Sequence, residues 1–84
     1  MKKWTVILEI FLKDGIFDPQ GKTIKDALHN LGFKEVEEVR MGKVLKIDIY
    51  GDNKNEVFEK IKKMSEIFLA NPVTEDFNIR VEEE

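Results

Sequence analysis

The chain contains no cysteine. That absence excludes disulfide stapling, thiolate zinc sites and a cysteine nucleophile. There is a single histidine, His29, off the apolar stripe of its helical stretch, and a solvated imidazole is the reading it supports. A metal site would have to be made of carboxylates, and no Asp/Glu spacing matches a calcium loop or a His-containing motif. Ser65 has no base in any nucleophile pattern. The five glycines are scattered, with neither a phosphate-cradling GxGxxG nor a Walker-type loop. A basic excess is also missing. The formal net charge is -3, and the one short cluster, Lys60, Lys62 and Lys63, reads as a solvated helix face, which argues against nucleic acid as a partner. No apolar stretch approaches membrane-spanning length. The run from Val6 to Leu12 is broken by Glu9 and has no small-residue cleavage site after it, so it reads as a strand rather than a signal peptide. The residues therefore lead us to expect a cytoplasmic protein with no membrane contact and no catalytic, cofactor-binding or metal site of its own.

What is present suits one domain spanning residues 1–84. Hydrophobic residues make up 42% and charged residues 37% of the 84 positions, a globular balance with a heavily charged surface. A domain this small buries only about 60% of its unfolded surface. Such thin cores often gain stability by association.

The pattern along the chain alternates between strand and helix. Trp4, Val6, Leu8, Ile10 and Leu12 share one face of a strand. Asp18 is a good N-cap, and Pro19 fits the first helical position. Ile24, Ala27, Leu28 and Leu31 follow helical spacing, and Gly32 with Phe33 suits a left-handed C-cap. Residues 34–51 are strand-like. Val36 and Val39 break strict alternation, and Gly42 marks either a hairpin turn or a bend in one long strand. Beyond it Leu45, Ile47 and Ile49 face one way, and Val44, Lys46, Asp48 and Tyr50 the other. Asp52 and Asn53 are candidate N-caps, with Glu56 at the capping-box position of Asn53. Val57, Ile61, Met64 and Phe68 make a helical stripe, which predicts Phe68 as its buried end. Pro72 cannot continue that helix, and it pushes Asn71 out of the helical region. Val73, Glu75, Phe77, Ile79 and Val81 then share a strand face, followed by the acidic tail Glu82–Glu84, expected to fray.

The order strand, helix, strand, strand, helix, strand predicts an α+β, ferredoxin-like βαββαβ fold: an antiparallel sheet with two helices on one face. The other sheet face would stay uncovered. Ile7, Phe11, Val44 and Tyr50 lie on it, and self-association through these four residues is the expectation.

Three stretches carry a family resemblance: FDPQGKTIKDALHNLGF (17–33), VEEVRMGKVLKIDI (36–49) and LANPVTEDFNIRVEE (69–83). Each is weak alone, but in this order and spacing they resemble the PurS family, the small subunits of phosphoribosylformylglycinamidine synthase. That resemblance implies a non-catalytic subunit of an ATP-dependent, glutamine-using ligase in purine biosynthesis. It implies a homodimer or dimer of dimers that joins a synthetase subunit, PurL, to a glutaminase subunit, PurQ, and helps ammonia pass between them. ATP and magnesium would be used by the synthetase subunit, with no cofactor in this chain. Polar residues at element ends within the matching motifs are then expected to face partners: Asp18, Gln20, Gly21, Arg40, Lys43 and Asn71. Two other classes share the element order. An ACT-like domain would hold a small regulatory ligand at a dimer interface. An RNA-recognition module would need exposed strand aromatics and a basic surface, and the net charge opposes it.

Overall fold

The computed structural model describes residues 1–83. Its elements are β1 (Lys2–Leu12), α1 (Pro19–Asn30), β2 (Gly42–Gly51), α2 (Lys54–Met64) with a π-helical turn (Ser65–Leu69), and β3 (Glu75–Glu83). The fold is α+β, but among the described residues it has three strands where the sequence suggested four. β1 is central, in the order β2-β1-β3, and is antiparallel to both neighbours. β2 and β3 are therefore parallel to each other across β1 and linked by α2, the split βαβ half of the expected topology.

The alternation of β1 translates directly into burial. Val6, Leu8 and Ile10 are sealed in the core with Trp4, Val57, Ile61, Ala70 and Val81. Their cross-strand partners, Ile47 and Val81 beside Val6, and Leu45 and Ile79 beside Leu8, put the apolar sides of all three strands in register. The Trp4 indole N–H donates to the Gly51 carbonyl at 3.0 Å, so the largest core side chain leaves no buried donor unpaired. Glu82 and Glu83 pair with Thr5 and Trp4 as part of β3 and do not fray, while Glu84 of the same acidic tail lies outside the described residues.

The predicted helix caps are present. The Asp18 carboxylate accepts from the Gly21 amide at 3.0 Å, and the Asn53 side chain accepts from the Glu56 amide at 2.9 Å. The Glu56 carboxylate reaches back to the Asp52 amide at 3.2 Å. α1 ends in a Schellman motif, with Phe33 N–H bonded to Leu28 at 3.0 Å and Gly32 N–H to His29 at 3.1 Å.

Three expectations need correction. First, residues 34–41 form no strand. The backbone of 36–41 is held by α1 and its N-cap instead: His29 bonds the Val36 carbonyl, and Asp18 the Met41 amide. Gly42 is accordingly no hairpin turn. It is the first residue of β2, opposite Phe11, and the chain runs through it without reversing. A Cβ at Gly42 would collide with the Phe11 ring and the Ile10 carbonyl, which accounts for glycine there.

Second, the helices do not both roof the sheet. α2 supplies Val57 and Ile61 to the core, whereas the only buried residue of α1 is Gly21. Since α1 makes its ordered contacts with the 36–41 segment, it projects beyond the sheet end, and the molecule measures 51 × 28 × 14 Å.

Third, Phe68 is 84% exposed. The Ala70 amide bonds to the Ser65 carbonyl at 3.0 Å, an i→i+5 turn that inserts a residue and rotates the helix end. Ser65 and Ala70 take the inward positions, and Phe68 swings out.

Candidate functional site

The six residues singled out for partner contact gather at one end of the sheet, where β1 leaves, β2 enters and β3 begins. Asp18 is the hub. Its carboxylate is buried, accepting from Gly21 N–H and from Met41 N–H at 2.6 Å. The Gly21 bond, then the Met41 bond, hold its pKa below the usual carboxylate value; burial opposes them, and the Arg40 charge adds to them. Gly21 lets the return segment lie directly on the helix. A Cβ there would collide with the Val39 carbonyl. Arg40 reaches across to donate to the Lys13 carbonyl at 3.1 Å.

Gln20 and Lys43 are exposed and line a hollow of about 340 Å³ with Asp18, Met41 and Glu75. Lys43 stands 3.9 Å from Glu75, and the other oxygen of Glu75 accepts from the Asn71 amide at 2.8 Å. Asn71 thereby joins the same end of the sheet. Its side chain accepts from the Val73 amide at 3.0 Å, an Asx turn that fixes the loop after the helix stop. Of the six, Asp18, Gly21 and Arg40 are engaged in shaping the junction. Gln20, Lys43 and the exposed Asn71 present polar groups outward.

Sequence reasoning missed Glu75, Met41 and His29. Glu75 reads as one more residue on a strand face, although a carboxylate four residues after Asn71 is the signal that an Asn-Pro turn is being closed. His29 is half-buried rather than solvated, and its Nε2 lies 2.7 Å from the Val36 carbonyl. A carbonyl only accepts, so this nitrogen carries the proton.

On the sheet face away from α2, Ile7 and Val44 are diagonal neighbours, as are Phe11 and Val44, while Tyr50 stands apart beside Lys3. Charged groups interleave them. Lys13 pairs with Asp76 at 2.7 Å and Thr5 with Asp48 at 3.0 Å. No three His, Asp or Glu side chains converge as a metal site among the described residues. Ser65 is buried, and its hydroxyl donates to the Ile61 carbonyl at 2.8 Å. No described helix is long and apolar enough to cross a membrane.

Fold and junction together define a small α+β module: a sheet roofed by one helix, a second helix projecting from its end, and polar side chains engaged in fixing loops. The comparisons with known proteins agree. The model of the family described as "PurS: Phosphoribosylformylglycinamidine (FGAM) synthase" matches residues 5–83. The PurS subunit of Methanocaldococcus jannaschii is 44% identical over 82 residues, covering 98% of this chain and 96% of that protein. The Bacillus subtilis PurS subunit is 36% identical over 80 residues, with 95% and 94% covered. The crystal structure of M. jannaschii PurS superposes with a TM-score of 0.87 at 40% identity, covering 96% of this chain and 98% of that one. A structure described as PurLQS from Thermotoga maritima contains a chain matching with a TM-score of 0.88 at 28% identity, with 96% and 99% covered. The chain belongs to the PurS family of phosphoribosylformylglycinamidine synthase subunits.

Proposed function

We propose that this chain is the non-catalytic small subunit of a phosphoribosylformylglycinamidine synthase in purine biosynthesis. It works in the cytoplasm, as a homodimer or dimer of dimers, bridging a PurL-type synthetase subunit and a PurQ-type glutaminase subunit. ATP and magnesium are used by the synthetase subunit. The observation that carries this reading is the family match across residues 5–83. Partner contact falls on the junction of Asp18, Gln20, Gly21, Arg40, Lys43 and Asn71. Asp18, Gly21 and Arg40 hold its shape, and Gln20, Lys43 and Asn71 offer donors and acceptors. Copies associate through Ile7, Phe11, Val44 and Tyr50. The physical purpose of a bridge is that ammonia in water diffuses away and is protonated, so a closed path between active sites preserves the nucleophile.

The test is product formation by reconstituted subunits, with glutamine or ammonium salt as nitrogen source, with and without this chain. Omission should abolish glutamine-dependent synthesis and spare part of the rate at high ammonium. An unchanged glutamine-dependent rate without this chain would overturn the bridging role.

A further inference from the structure

Where the return segment 36–41 lies on α1, the two leave a hollow of about 220 Å³ between them. Five of its side chains give it a chemical character. Lys22 and Lys25, three positions apart, are neighbours on the surface of α1, and Arg40 comes from the segment. Phe17, just before the cap of α1, lines the same hollow and is 69% exposed. Glu38, also exposed, completes the set.

The charges in this hollow are not matched within the chain. Arg40 is fixed by the bond from its Nη2 to the Lys13 carbonyl at 3.1 Å, which uses one of its five N–H donors. Lys22 pairs with Asp26 at 2.9 Å, but both side chains are more than half exposed, and such a pair is worth little. Lys25 is half-buried and makes no ion pair among the described residues. Glu38 makes none there either, although three cations line the same space. The other carboxylate in the wall, Asp18, has both oxygens engaged by the Gly21 and Met41 amides. Three cations thus share the hollow with one uncommitted carboxylate and one open aromatic ring.

We propose that this hollow binds a ribonucleoside diphosphate, which clasps α1 to the return segment. Arg40 and Lys25 hold the phosphate oxygens, Arg40 through the fork of donors that the Lys13 carbonyl leaves free. Lys22 exchanges the Asp26 carboxylate for phosphate. The base stacks on Phe17, a contact open to every base because each has a π face. Glu38 accepts from the ribose hydroxyls, the use to which an acidic side chain is put in other nucleotide sites. That use accounts for an unpaired carboxylate among cations. A bare anion would satisfy the cations but leave the Phe17 ring in water and meet repulsion from Glu38. The site belongs to this chain alone and is separate from any nucleotide that a synthetase subunit consumes.

Titration of the isotope-labelled full chain at low salt, followed by its amide resonances, tests this with ADP, inorganic pyrophosphate and adenosine as probes. No partner subunit is present, so failure here would leave the bridging role standing. ADP should move the amides of Phe17, Lys22, Lys25, Glu38 and Arg40, and added salt should weaken it. It should bind about tenfold tighter than pyrophosphate, the contribution of one stacked base. Adenosine should bind more weakly than ADP, since it brings no phosphate to the cations. Lys25→Glu should weaken ADP by about tenfold or more while the rest of the amide spectrum is kept. Phe17→Ala, at an exposed position, should erase the advantage of ADP over pyrophosphate. Glu38→Gln should reduce the preference for ADP over its 2′,3′-dideoxy form. Pyrophosphate binding as tightly as ADP, with Phe17→Ala silent, would overturn the proposal and leave a simple anion site. Resonances that stay still at millimolar ADP, or that move only elsewhere in the chain, would overturn it too.

Discussion

Asp18 illustrates how one carboxylate organises a junction. It caps α1 through Gly21 and, 23 positions along the chain, fixes the entry to β2 through Met41. Both bonds favour the charged form, so its pKa in the folded chain lies below the reference 3.8. The folded state then binds this proton less tightly than the unfolded state. Its stabilisation is fully present above the unfolded value and is lost as the pH falls from about 3.8 through the lower folded value. Asp18→Ala should lower the denaturant midpoint at neutral pH, speed hydrogen exchange at the Met41 and Gly21 amides, and reduce the acid dependence of stability. Asp18→Asn keeps an acceptor without the charge, so it should lose the acid dependence but retain part of the midpoint. If both variants show the wild-type slope between pH 5 and 3, Asp18 is not the group that links the junction to acid.

At the scale of elements, α2 and its π-helical end separate two residues that sequence spacing treats alike. Ile61 is sealed against the sheet and Phe68 is 84% exposed. Ile61→Ala should cost about 2–5 kcal/mol, from lost transfer energy plus a cavity. Phe68→Ala should change the stability of the single fold by about 0.5 kcal/mol or less, as a surface substitution. Urea midpoints of the two variants at one protein concentration decide the ranking, and a larger loss for Phe68 would place the helix end differently. The contrast also shows what the sequence could convey. The alternation of β1, the caps at Asp18 and Asn53 and the stop at Pro72 act within a few residues, and all were legible. The π-helical turn was not, because no residue type encodes one inserted position. The 36–41 segment was not legible either. Its β-branched valines suit a strand, yet its polar groups find His29 and Asp18, side chains on a helix that local patterns cannot bring near. The site was half legible for the same reason. Polar residues at motif ends pointed to Gln20, Lys43 and Asn71, but no local pattern brings Lys43, on another strand, to the Glu75 that closes the Asn71 turn.

For the whole molecule, shape and surface converge on concentration. The thin core is made by one helix and one sheet face, while Ile24, Leu31 and Phe33 stay at least 41% exposed. A monomer would keep that apolar area in water, and the hydrophobic effect favours removing it. If two copies cover it for each other, unfolding also separates them, so the folded state gains from mass action. Each tenfold rise in chain concentration should then add about 1.4 kcal/mol of apparent stability for a pair that unfolds to two chains. Thermal melts over several decades of concentration, with light scattering to give the mass, measure this directly. The midpoint should climb with concentration, and the mass should be a multiple of the 9.8 kDa chain. A constant midpoint together with the mass of one chain would mean that the exposed side of α1 is an ordinary wet surface in the free protein.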